Sequence, residues 1–223
     1  RGRRLAPHPR VAARARVAGA LPSLASRLTV VARYRGRVHP VIIGRTHPPI
    51  APMDQIARHI RDVPDFPKPG ILFKDITPLL RDVGALRLAV QGLAQPFREA
   101  GVTAVLGMEA RGFVFGALVA AELAAGFVPL RKPGKLPAAT TSVSYDLEYG
   151  SAELHMHADA IGAGDTVLLV DDLIATGGTA AASLELARRS GAKVAGAAFV
   201  VELDFLHGRA ALGDCMVHSL LHY

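Results

Sequence analysis

The sequence contains little cysteine and no long uninterrupted apolar run, and each scarcity excludes a class of protein. Cys215 is the only cysteine among 223 residues, so neither an internal disulfide framework nor a cysteine-based metal cluster can form. The most apolar stretch, residues 112–130, is interrupted by Glu122, Gly126 and Pro129. That pattern predicts a buried helix followed by a strand and argues against a membrane span. We therefore expect a protein of the reducing cytoplasm that does not bind membranes.

Acidic residues are absent from the first 52 positions, and this absence changes what the net charge means. The whole chain has a formal net charge of +7, but 11 of its 26 basic residues lie in residues 1–52. Residues 53–223 hold the other 15 together with all 19 Asp and Glu, so this part is mildly acidic. The basic character of the chain therefore does not indicate a nucleic-acid partner.

Residues 1–52 are rich in Arg, Ala and Pro and show no clear periodicity. Three interpretations are open: an organellar transit peptide, a flexible basic tail that touches nucleic acid or acidic lipid, or translated sequence upstream of a start at Met53. We favour the third, because a normal amphipathic segment of mixed charge begins at Met53. The expected domains are a disordered or artefactual extension over residues 1–52 and one folded domain over residues 53–223.

Helices and strands are predicted to alternate along residues 53–223. Apolar or alternating runs predict strands, and amphipathic or Ala-rich runs predict helices. The predicted helices cover residues 54–62, 84–100, 112–125 and 179–190. The predicted strands cover residues 102–107, 126–132, 151–161, 164–172 and 194–203. Such alternation indicates an α/β fold with a doubly wound, mainly parallel sheet and a site at the carboxyl ends of its strands.

Two aspartates and a glycine-containing loop follow a strand in VLLVDDLIATGGT, residues 167–179. Glycines let backbone N–H groups close around an oxyanion, and the start of the following helix adds unpaired donors. Because carboxylates repel an anion, Asp171 and Asp172 should face sugar hydroxyls or a hydrated Mg²⁺. The loop lacks both the P-loop lysine and the G-x-G-x-x-G pattern. An ordinary strand–turn–helix is the alternative to a combined site for a phosphate and a vicinal diol, as in a ribose 5-phosphate.

Three further segments could complete such a site. Residues 107–117 place Arg111 at a strand-to-helix turn that suits a second anion, and an ordinary turn is the alternative. Residues 131–151 form a long stretch without apolar periodicity, typical of functional or disordered loops, and a solvated hairpin is the alternative. Residues 66–78 contain apolar side chains that either hold a flat ring or pack in the core.

Five segments, taken in order, resemble the adenine phosphoribosyltransferases, a family of type I phosphoribosyltransferases. They are FPKPGILFKDITPLL, GMEARGFVFG, RKPGKLP, SYDLEYG and VDDLIATGGT, and the resemblance runs from about Met53 to Tyr223. It implies a mainly parallel twisted sheet flanked by helices, with a small hood and a flexible catalytic loop. It also implies an enzyme that transfers the 5-phosphoribosyl group of 5-phosphoribosyl 1-diphosphate (PRPP) to N9 of adenine, giving AMP and diphosphate. The enzyme is expected to be a homodimer and to use Mg²⁺ as its cofactor.

The resemblance further implies roles for individual residues that bind PRPP. Asp171 and Asp172 are expected to bind the ribose hydroxyls and to stabilise positive charge that develops at the anomeric carbon. The residues expected to bind the 5-phosphate are Ala175, Thr176, Gly177, Gly178 and Thr179. Those expected to bind the diphosphate are Glu109, Ala110, Arg111, Arg131, Lys132 and Lys135. We expect Mg²⁺ to be held mainly by PRPP and water, with no dedicated protein ligands.

For the base, the resemblance implies that adenine lies between Phe73 and Leu173. Backbone groups around Leu72 and Lys74 would read its amino edge, which leaves a 6-oxopurine with a mismatched hydrogen bond. Glu148, next to Tyr149 on the mobile loop, is expected to contact N7 of adenine. It would act as general acid or base during attack by N9, with Arg111 assisting.

Two positions depart from other family members. Lys74 stands where some relatives carry Arg, and Glu109–Ala110, where the resemblance implies a cis peptide, replaces an Asp-Ser pair. Two other functions stay open at this point. One is a 6-oxopurine phosphoribosyltransferase, against which SYDLEYG and LFKDI argue. The other is a PRPP-sensing regulator without turnover, which would need a DNA-binding helix-turn-helix pattern that residues 1–52 do not show.

Overall fold

The structure is a computed structural model of the chain. It describes residues 29–34, 37–42, 52–147 and 150–223. The chain divides into two compact units, Arg1–Ile50 and Ala51–Tyr223. In the first unit, strands β1 (Thr29–Tyr34) and β2 (Arg37–Ile42) pair antiparallel. The sequence pattern predicts no hairpin there, so this pair is an addition to the expected organisation.

In the second unit, helices and strands alternate along the described residues. The helices are α1 (Pro52–Ala57), α2 (Thr77–Arg81), α3 (Val83–Ala94), α4 (Gly112–Glu122) and α5 (Gly178–Arg189). The strands are β3 (Arg61–Pro64), β4 (Leu72–Asp75), β5 (Ala104–Met108), β6 (Gly126–Leu130), β7 (Thr140–Leu147), β8 (Gly150–His157), β9 (Thr166–Ile174), β10 (Lys193–Glu202) and β11 (Val217–His222). Short 3₁₀ helices cover Gln95–Phe97, Asp204–Leu206 and Gly208–Leu212.

Five of the strands form one parallel sheet in the order β11-β10-β9-β5-β6. The chain builds outwards from β5 to β6 on one side and from β9 through β10 to β11 on the other. The direction of winding therefore changes between β5 and β9, and open α/β sheets bind ligands at the carboxyl ends of the strands at such a point. The remaining strands of this unit form two antiparallel hairpins, β3–β4 and β7–β8.

Both faces of the central sheet are covered by apolar layers. On β9, Val167 and Leu169 belong to the layer that also includes side chains of α5 and of the β7–β8 hairpin. Leu168 and Val170 belong to the opposite layer, together with side chains of α3 and α4. All four residues are fully buried. Burial on both faces explains why this strand is a continuous apolar run rather than an alternating one.

The predicted helix over residues 54–62 is wrong in its second half. The helix has only six residues, and β3 begins at Arg61. Arg61 lies opposite Asp75 on β4 and forms an ion pair with it. Asp62 lies opposite Lys74 and forms a second ion pair. The partners are 14 and 12 positions apart in the sequence. Local periodicity could not reveal cross-strand pairs of this kind.

The expected irregular loop over residues 131–151 is also wrong in part. Residues 140–147 form β7, which pairs with β8 along its whole length. On the inner face of this hairpin, Val143 and Leu154 are buried in the core. The region is therefore a hairpin, as the alternative stated, but its inner face is buried rather than solvated. Its apolar alternation is short and follows polar residues, so the sequence signal is weak.

Other predicted elements differ mainly at their ends. The predicted helix over residues 84–100 is α3 followed by the 3₁₀ helix Gln95–Phe97, because Pro96 has no N–H to continue the α-helical hydrogen bonds. The other predicted helices and strands are confirmed as α4, α5, β5, β6, β8, β9 and β10. The sequence pattern does not predict β11. Among the described residues, no helix has the length and apolar character needed to cross a membrane.

Candidate active site

The carboxyl ends of β5 and β9 bring Arg111 and two aspartates together. Arg111 stands at the start of α4, and its Nε donates a hydrogen bond of 2.5 Å to Oδ2 of Asp172 on β9. The neighbouring Asp171 carboxylate lies against the first turn of α4. A Cβ atom added at Gly112 would stand 2.5 Å from Oδ1 of Asp171, so only glycine permits this close approach.

The environment of this cluster shifts the pKa of Asp171 and of Arg111. The pKa of Asp171 is raised well above its usual value, because burial disfavours its charged form and the Asp172 carboxylate adds repulsion. Burial would lower the pKa of Arg111, but the hydrogen bond to Asp172 and the nearby carboxylates raise it overall. Two acidic side chains thus lie close to one guanidinium. Such an arrangement suits a cationic reaction centre or a hydrated divalent cation.

The segment predicted to bind a phosphate, residues 175–179, spans the turn between β9 and α5 and the first two residues of α5. Gly177 adopts a left-handed conformation with φ of 84°, and a Cβ atom there would collide with the carbonyl oxygen of Gly208. Helix α5 begins at Gly178, so the N–H groups of Gly178 and Thr179 belong to its first turn and have no acceptor within the helix. These donors and the positive end of the helix dipole make the turn suitable for an anion.

The predicted diphosphate segment is tied to Arg131. The Glu109–Ala110 peptide is cis, as the resemblance implied. Nε of Arg131 donates to the Glu109 carboxylate at 3.0 Å, and its Nη1 donates to the carbonyl oxygen of Lys135 at 3.1 Å. Burial would raise the pKa of Glu109, but hydrogen bonds from Arg131 and the Lys132 N–H lower it overall. Glu109 therefore positions Arg131, whereas Lys132 and Lys135 are exposed on the same loop.

The segment predicted to bind the base lies close to the Arg111 guanidinium. The Arg111 Cζ atom lies 5.7 Å from the centre of the Phe73 ring, and Phe66 packs edge-on against that ring at 5.1 Å. Leu173, which follows Asp172 on β9, is partly buried against the layer formed by α3 and α4. The Leu72 side chain is exposed.

The side chain of Lys74 points away from a base site. Its Nζ atom lies 2.7 Å from Oδ1 of Asp62 and 3.8 Å from the centre of the Tyr223 ring. Tyr223 follows β11, and its N–H donates to the carbonyl oxygen of Glu202 at the end of β10. Lys74 thus attaches β4 to Tyr223, the residue that follows β11. Sequence reasoning missed this contact with Tyr223, which joins residues almost 150 positions apart.

Two predicted site residues, Glu148 and Tyr149, lie outside the described residues. Strand β7 ends at Leu147 and β8 begins at Gly150, and the two residues fall between these strands.

A further residue, Tyr145 on β7, was missed by sequence reasoning. Its hydroxyl accepts a hydrogen bond from Oγ1 of Thr179, in the first turn of α5, at 3.3 Å. The spacing of Val143 and Tyr145 places both on one face of a strand. That alternation, read as a strand, is the signal that could have found it.

One side-chain cluster elsewhere has the composition of a metal site. Among the described residues, ligand atoms of Glu202, Asp204 and His222 lie within 4.8 Å of one another. However, Glu202 already accepts two hydrogen bonds from Arg209 and one from Ser219. Its charge is therefore compensated without an ion.

Comparisons with known proteins agree with this architecture. Residues 80–211 match the family model of the phosphoribosyl transferase domain. The adenine phosphoribosyltransferase of Nitrosococcus oceani is 65% identical over 171 residues, which is 77% of this chain and 100% of that relative. The one from Methylococcus capsulatus shows the same identity and coverage.

Solved structures agree as well. The crystal structure of adenine phosphoribosyltransferase from Rhodothermus marinus is 51% identical with a TM-score of 0.74, and the match covers 77% of this chain and 98% of that one. The Saccharomyces cerevisiae enzyme, complexed with D-2,5-dideoxy-2,5-imino-altritol 1,6-bisphosphate and adenine, is 39% identical with a TM-score of 0.73 over 77% and 99% of the two chains. Together with the central sheet and its flanking helices, these matches show a type I phosphoribosyltransferase fold, and the chain belongs to the adenine phosphoribosyltransferase family.

Proposed function

We propose that this chain transfers the 5-phosphoribosyl group of PRPP to N9 of adenine, giving AMP and diphosphate, as in purine salvage. The observation that carries this proposal is the position of Arg111. Its guanidinium contacts the Asp172 carboxylate at the proposed ribose site and lies beside Phe73 at the proposed base site. The solved yeast relative, which holds adenine and a bisphosphate together, supports pairing a base site with a phosphate site.

The two aspartates bind the ribose in this proposal. Carboxylate oxygens of Asp171 and Asp172 accept hydrogen bonds from the vicinal hydroxyls, while residues 175–179 donate N–H groups to the 5-phosphate. The same carboxylates face the anomeric carbon. As the bond to diphosphate breaks, positive charge develops there, and fixed negative charge stabilises it without reorganisation.

The leaving diphosphate meets positive groups on the other side. Backbone N–H groups at Ala110 and Arg111 and the side chains of Arg131, Lys132 and Lys135 receive it. The hydrogen bond from Arg131 to Glu109 already holds Arg131 next to this segment. The carboxylate oxygens of Asp171 and Asp172 are the hard donors that Mg²⁺ and its bound waters prefer, so the site fits this cofactor. When bound through PRPP and water, Mg²⁺ supplies charge neutralisation to the leaving group.

Adenine binds against the Phe73 ring, with Leu173 on its other face. Backbone groups of Leu72 and Lys74 read its 6-amino edge, so a 6-oxopurine leaves one of these groups mismatched. Glu148 contacts N7 and exchanges a proton with the base as N9 attacks the anomeric carbon, and Arg111 assists. The segment that carries Glu148 and Tyr149 covers the site and excludes water, which protects PRPP from hydrolysis.

The proposal extends to the setting of the enzyme. Residues 53–223 carry the activity, and residues 1–52 are an extension that does not contribute to it. The enzyme acts as a homodimer in the cytoplasm, with PRPP, adenine, AMP and diphosphate as its ligands. It binds neither nucleic acid nor membranes. Analytical ultracentrifugation of the full chain tests the dimer, because a single monomer peak at micromolar concentration would contradict it.

The activity is tested by offering the full chain PRPP and Mg²⁺ with adenine, hypoxanthine or guanine in separate reactions. We expect AMP from adenine and almost no product from the other two bases. Rapid conversion of hypoxanthine or guanine would identify a 6-oxopurine enzyme instead. Binding of PRPP without turnover of any base would identify a regulator and contradict the proposal. Glu148→Gln should lose most of the activity while still binding PRPP.

A further inference from the structure

The hydrogen bond between Thr179 and Tyr145 joins two parts of the proposed site that lie 34 positions apart in the sequence. Thr179 lies in the first turn of α5, among the residues proposed to bind the 5-phosphate. Tyr145 lies on β7, three positions before Glu148. Their hydroxyl oxygens are 3.3 Å apart. This contact is therefore a direct link between the phosphate turn and the strand that leads to the proposed catalytic carboxylate.

Packing fixes where the Tyr145 hydroxyl can lie. The backbone of Tyr145 is paired with Ala152 of β8, and its side chain packs against the same buried layer as Val143. Helix α5 packs against both β7 and β8. The phenol ring is thus held between hairpin and helix, with its polar end at the first turn of α5. A partly buried tyrosine ring of this kind presents its hydroxyl in a fixed place.

We infer that Tyr145 is a positioning residue, whose hydroxyl orients the Thr179 hydroxyl towards the 5-phosphate and couples phosphate binding to the placement of β7. The inference rests on the proposed function, because it assigns Thr179 to the phosphate site. It adds a residue outside the segments proposed to bind PRPP.

The hydrogen-bonding roles of the Thr179 and Tyr145 hydroxyls follow from the single proton that each of them carries. A threonine hydroxyl has one proton and two acceptor lone pairs, and a tyrosine hydroxyl can donate or accept. In the structure, the Thr179 hydroxyl donates to the Tyr145 hydroxyl. With a phosphate in the turn, the Thr179 hydroxyl donates to a phosphate oxygen and the Tyr145 hydroxyl rotates to donate to Oγ1 of Thr179. Both bonds then point towards the anion, and each strengthens the other.

This reversal has a structural consequence. The oxygen–oxygen distance of 3.3 Å exceeds the roughly 2.7–2.8 Å typical of O–H···O hydrogen bonds. We expect it to shorten once the phosphate fixes the Thr179 hydroxyl, which draws β7 towards α5. Occupancy of the phosphate site then favours one position of the strand that leads to Glu148.

The test uses the full chain and four variants: Tyr145→Phe, Thr179→Val, the double variant, and Ser142→Ala as control. Ser142 lies on the same strand but donates to Glu153 on the other face of the hairpin, so its loss removes a hydroxyl without touching α5. Calorimetric binding of AMP reports the phosphate site without turnover. Steady-state kinetics reports KM for PRPP and for adenine separately, and thermal unfolding confirms that each variant folds.

We expect Tyr145→Phe to weaken AMP binding and raise KM for PRPP by about 5- to 10-fold, the scale of one neutral hydrogen bond. KM for adenine should stay within about 2-fold, because Phe73 is untouched. In the double variant, binding should be no weaker than in Thr179→Val, since Tyr145 acts through Thr179. Ser142→Ala should match the wild type.

Wild-type affinity for AMP in a folded Tyr145→Phe variant would overturn the inference. So would effects of the two substitutions that multiply in the double variant, because the residues would then act independently. The proposed function has a separate criterion. A wild-type chain that binds AMP but forms none contradicts the function, while the binding comparison still decides the role of Tyr145. A wild-type chain that binds no AMP contradicts both.

Discussion

Arg111 and Asp172 form the ion pair that joins the two halves of the site, with Nε and Oδ2 2.5 Å apart. The Asp172 side chain is only 7% exposed, whereas half of the Arg111 side chain is accessible. The guanidinium thus compensates a buried carboxylate, while the Arg111 side chain stays partly accessible. This geometry makes one residue common to the segments proposed to bind the ribose, the diphosphate and the base.

Loss of the Asp172 charge should slow the chemical step. Asp172→Asn keeps the size of the side chain but removes the negative charge that we propose to face the anomeric carbon. We expect kcat to fall by about 10²-fold, on the scale of one lost electrostatic contact to a transition state. Steady-state AMP formation measures this. Asp159→Asn, on the exposed surface, is the matched control and should keep wild-type kcat. An unchanged kcat in Asp172→Asn would remove Asp172 from the mechanism.

Removal of the Phe73 ring should weaken adenine binding selectively. Stacking of a base on an aromatic side chain contributes about 1–3 kcal/mol, which corresponds to roughly 5- to 150-fold in affinity. Phe73→Ala should therefore raise KM for adenine within that range and leave KM for PRPP nearly unchanged. Phe205→Ala is the control, because Phe205 is 68% exposed and its loss removes a phenylalanine ring at the surface. Equal increases in both KM values for Phe73→Ala would place this ring outside the base site.

Gly177 should tolerate no side chain, for two separable reasons. Its left-handed φ of 84° costs a non-glycine residue about 1–2 kcal/mol, and a Cβ atom would also collide with Gly208. Gly101 has φ of 66° but open space where a Cβ atom would lie, so Gly101→Ala isolates the conformational cost. Denaturant unfolding should show a larger loss of stability for Gly177→Ala than for Gly101→Ala. Only Gly177→Ala should raise KM for PRPP, by about 10-fold or more. Equal changes in stability and in KM for the two variants would contradict a close-packed phosphate turn.

Glu202 should make the stability of the fold depend on acid pH. Hydrogen bonds from Arg209 lower the pKa of Glu202 to about 2 from its usual 4.5. Burial acts in the opposite direction and raises this pKa, whereas a hydrogen bond from Ser219 lowers it further. A lowered folded-state pKa stabilises the protein above the unfolded-state value, and that stabilisation is lost as pH falls through the folded-state value. The wild type should therefore lose about 2–3 kcal/mol more than Glu202→Gln between pH 5 and pH 2.

Urea unfolding at several pH values measures this difference. Glu185→Gln is the control, because Glu185 forms an exposed ion pair with Arg189 one helical turn away, and such pairs contribute little. Its stability curve should run parallel to that of the wild type. Parallel curves for the wild type and Glu202→Gln would show that the Glu202–Arg209 pair is not formed in solution.

Local sequence signals were sufficient for the central strands and helices. Val167 to Val170 are apolar on both faces, so β9 could be recognised without knowledge of its neighbours. The hairpin β3–β4 could not be recognised in this way, because Arg61 is bound by Asp75 across two strands. Similarly, β7 depends on its pairing with β8 and on burial of Val143. These elements are specified by tertiary contacts rather than by local propensity.

For the site, motif order located the segments but not all of the contacts between them. The turn before α5 and the Glu109–Ala110 segment could be identified from the motifs VDDLIATGGT and GMEARGFVFG. The link from Tyr145 to Thr179 could not, because it joins residues 34 positions apart. The same holds for Lys74 and Tyr223. Such pairs follow from the packing of whole elements, which a single sequence does not display.

Adenine-dependent transfer from PRPP can be tested by measuring both products in one experiment. The full chain is given PRPP and Mg²⁺, with and without adenine, and AMP and diphosphate are quantified in the same samples. We expect equal amounts of the two products with adenine and almost no diphosphate without it. Diphosphate released at the same rate without adenine, or no AMP in either sample, would contradict the proposed transfer.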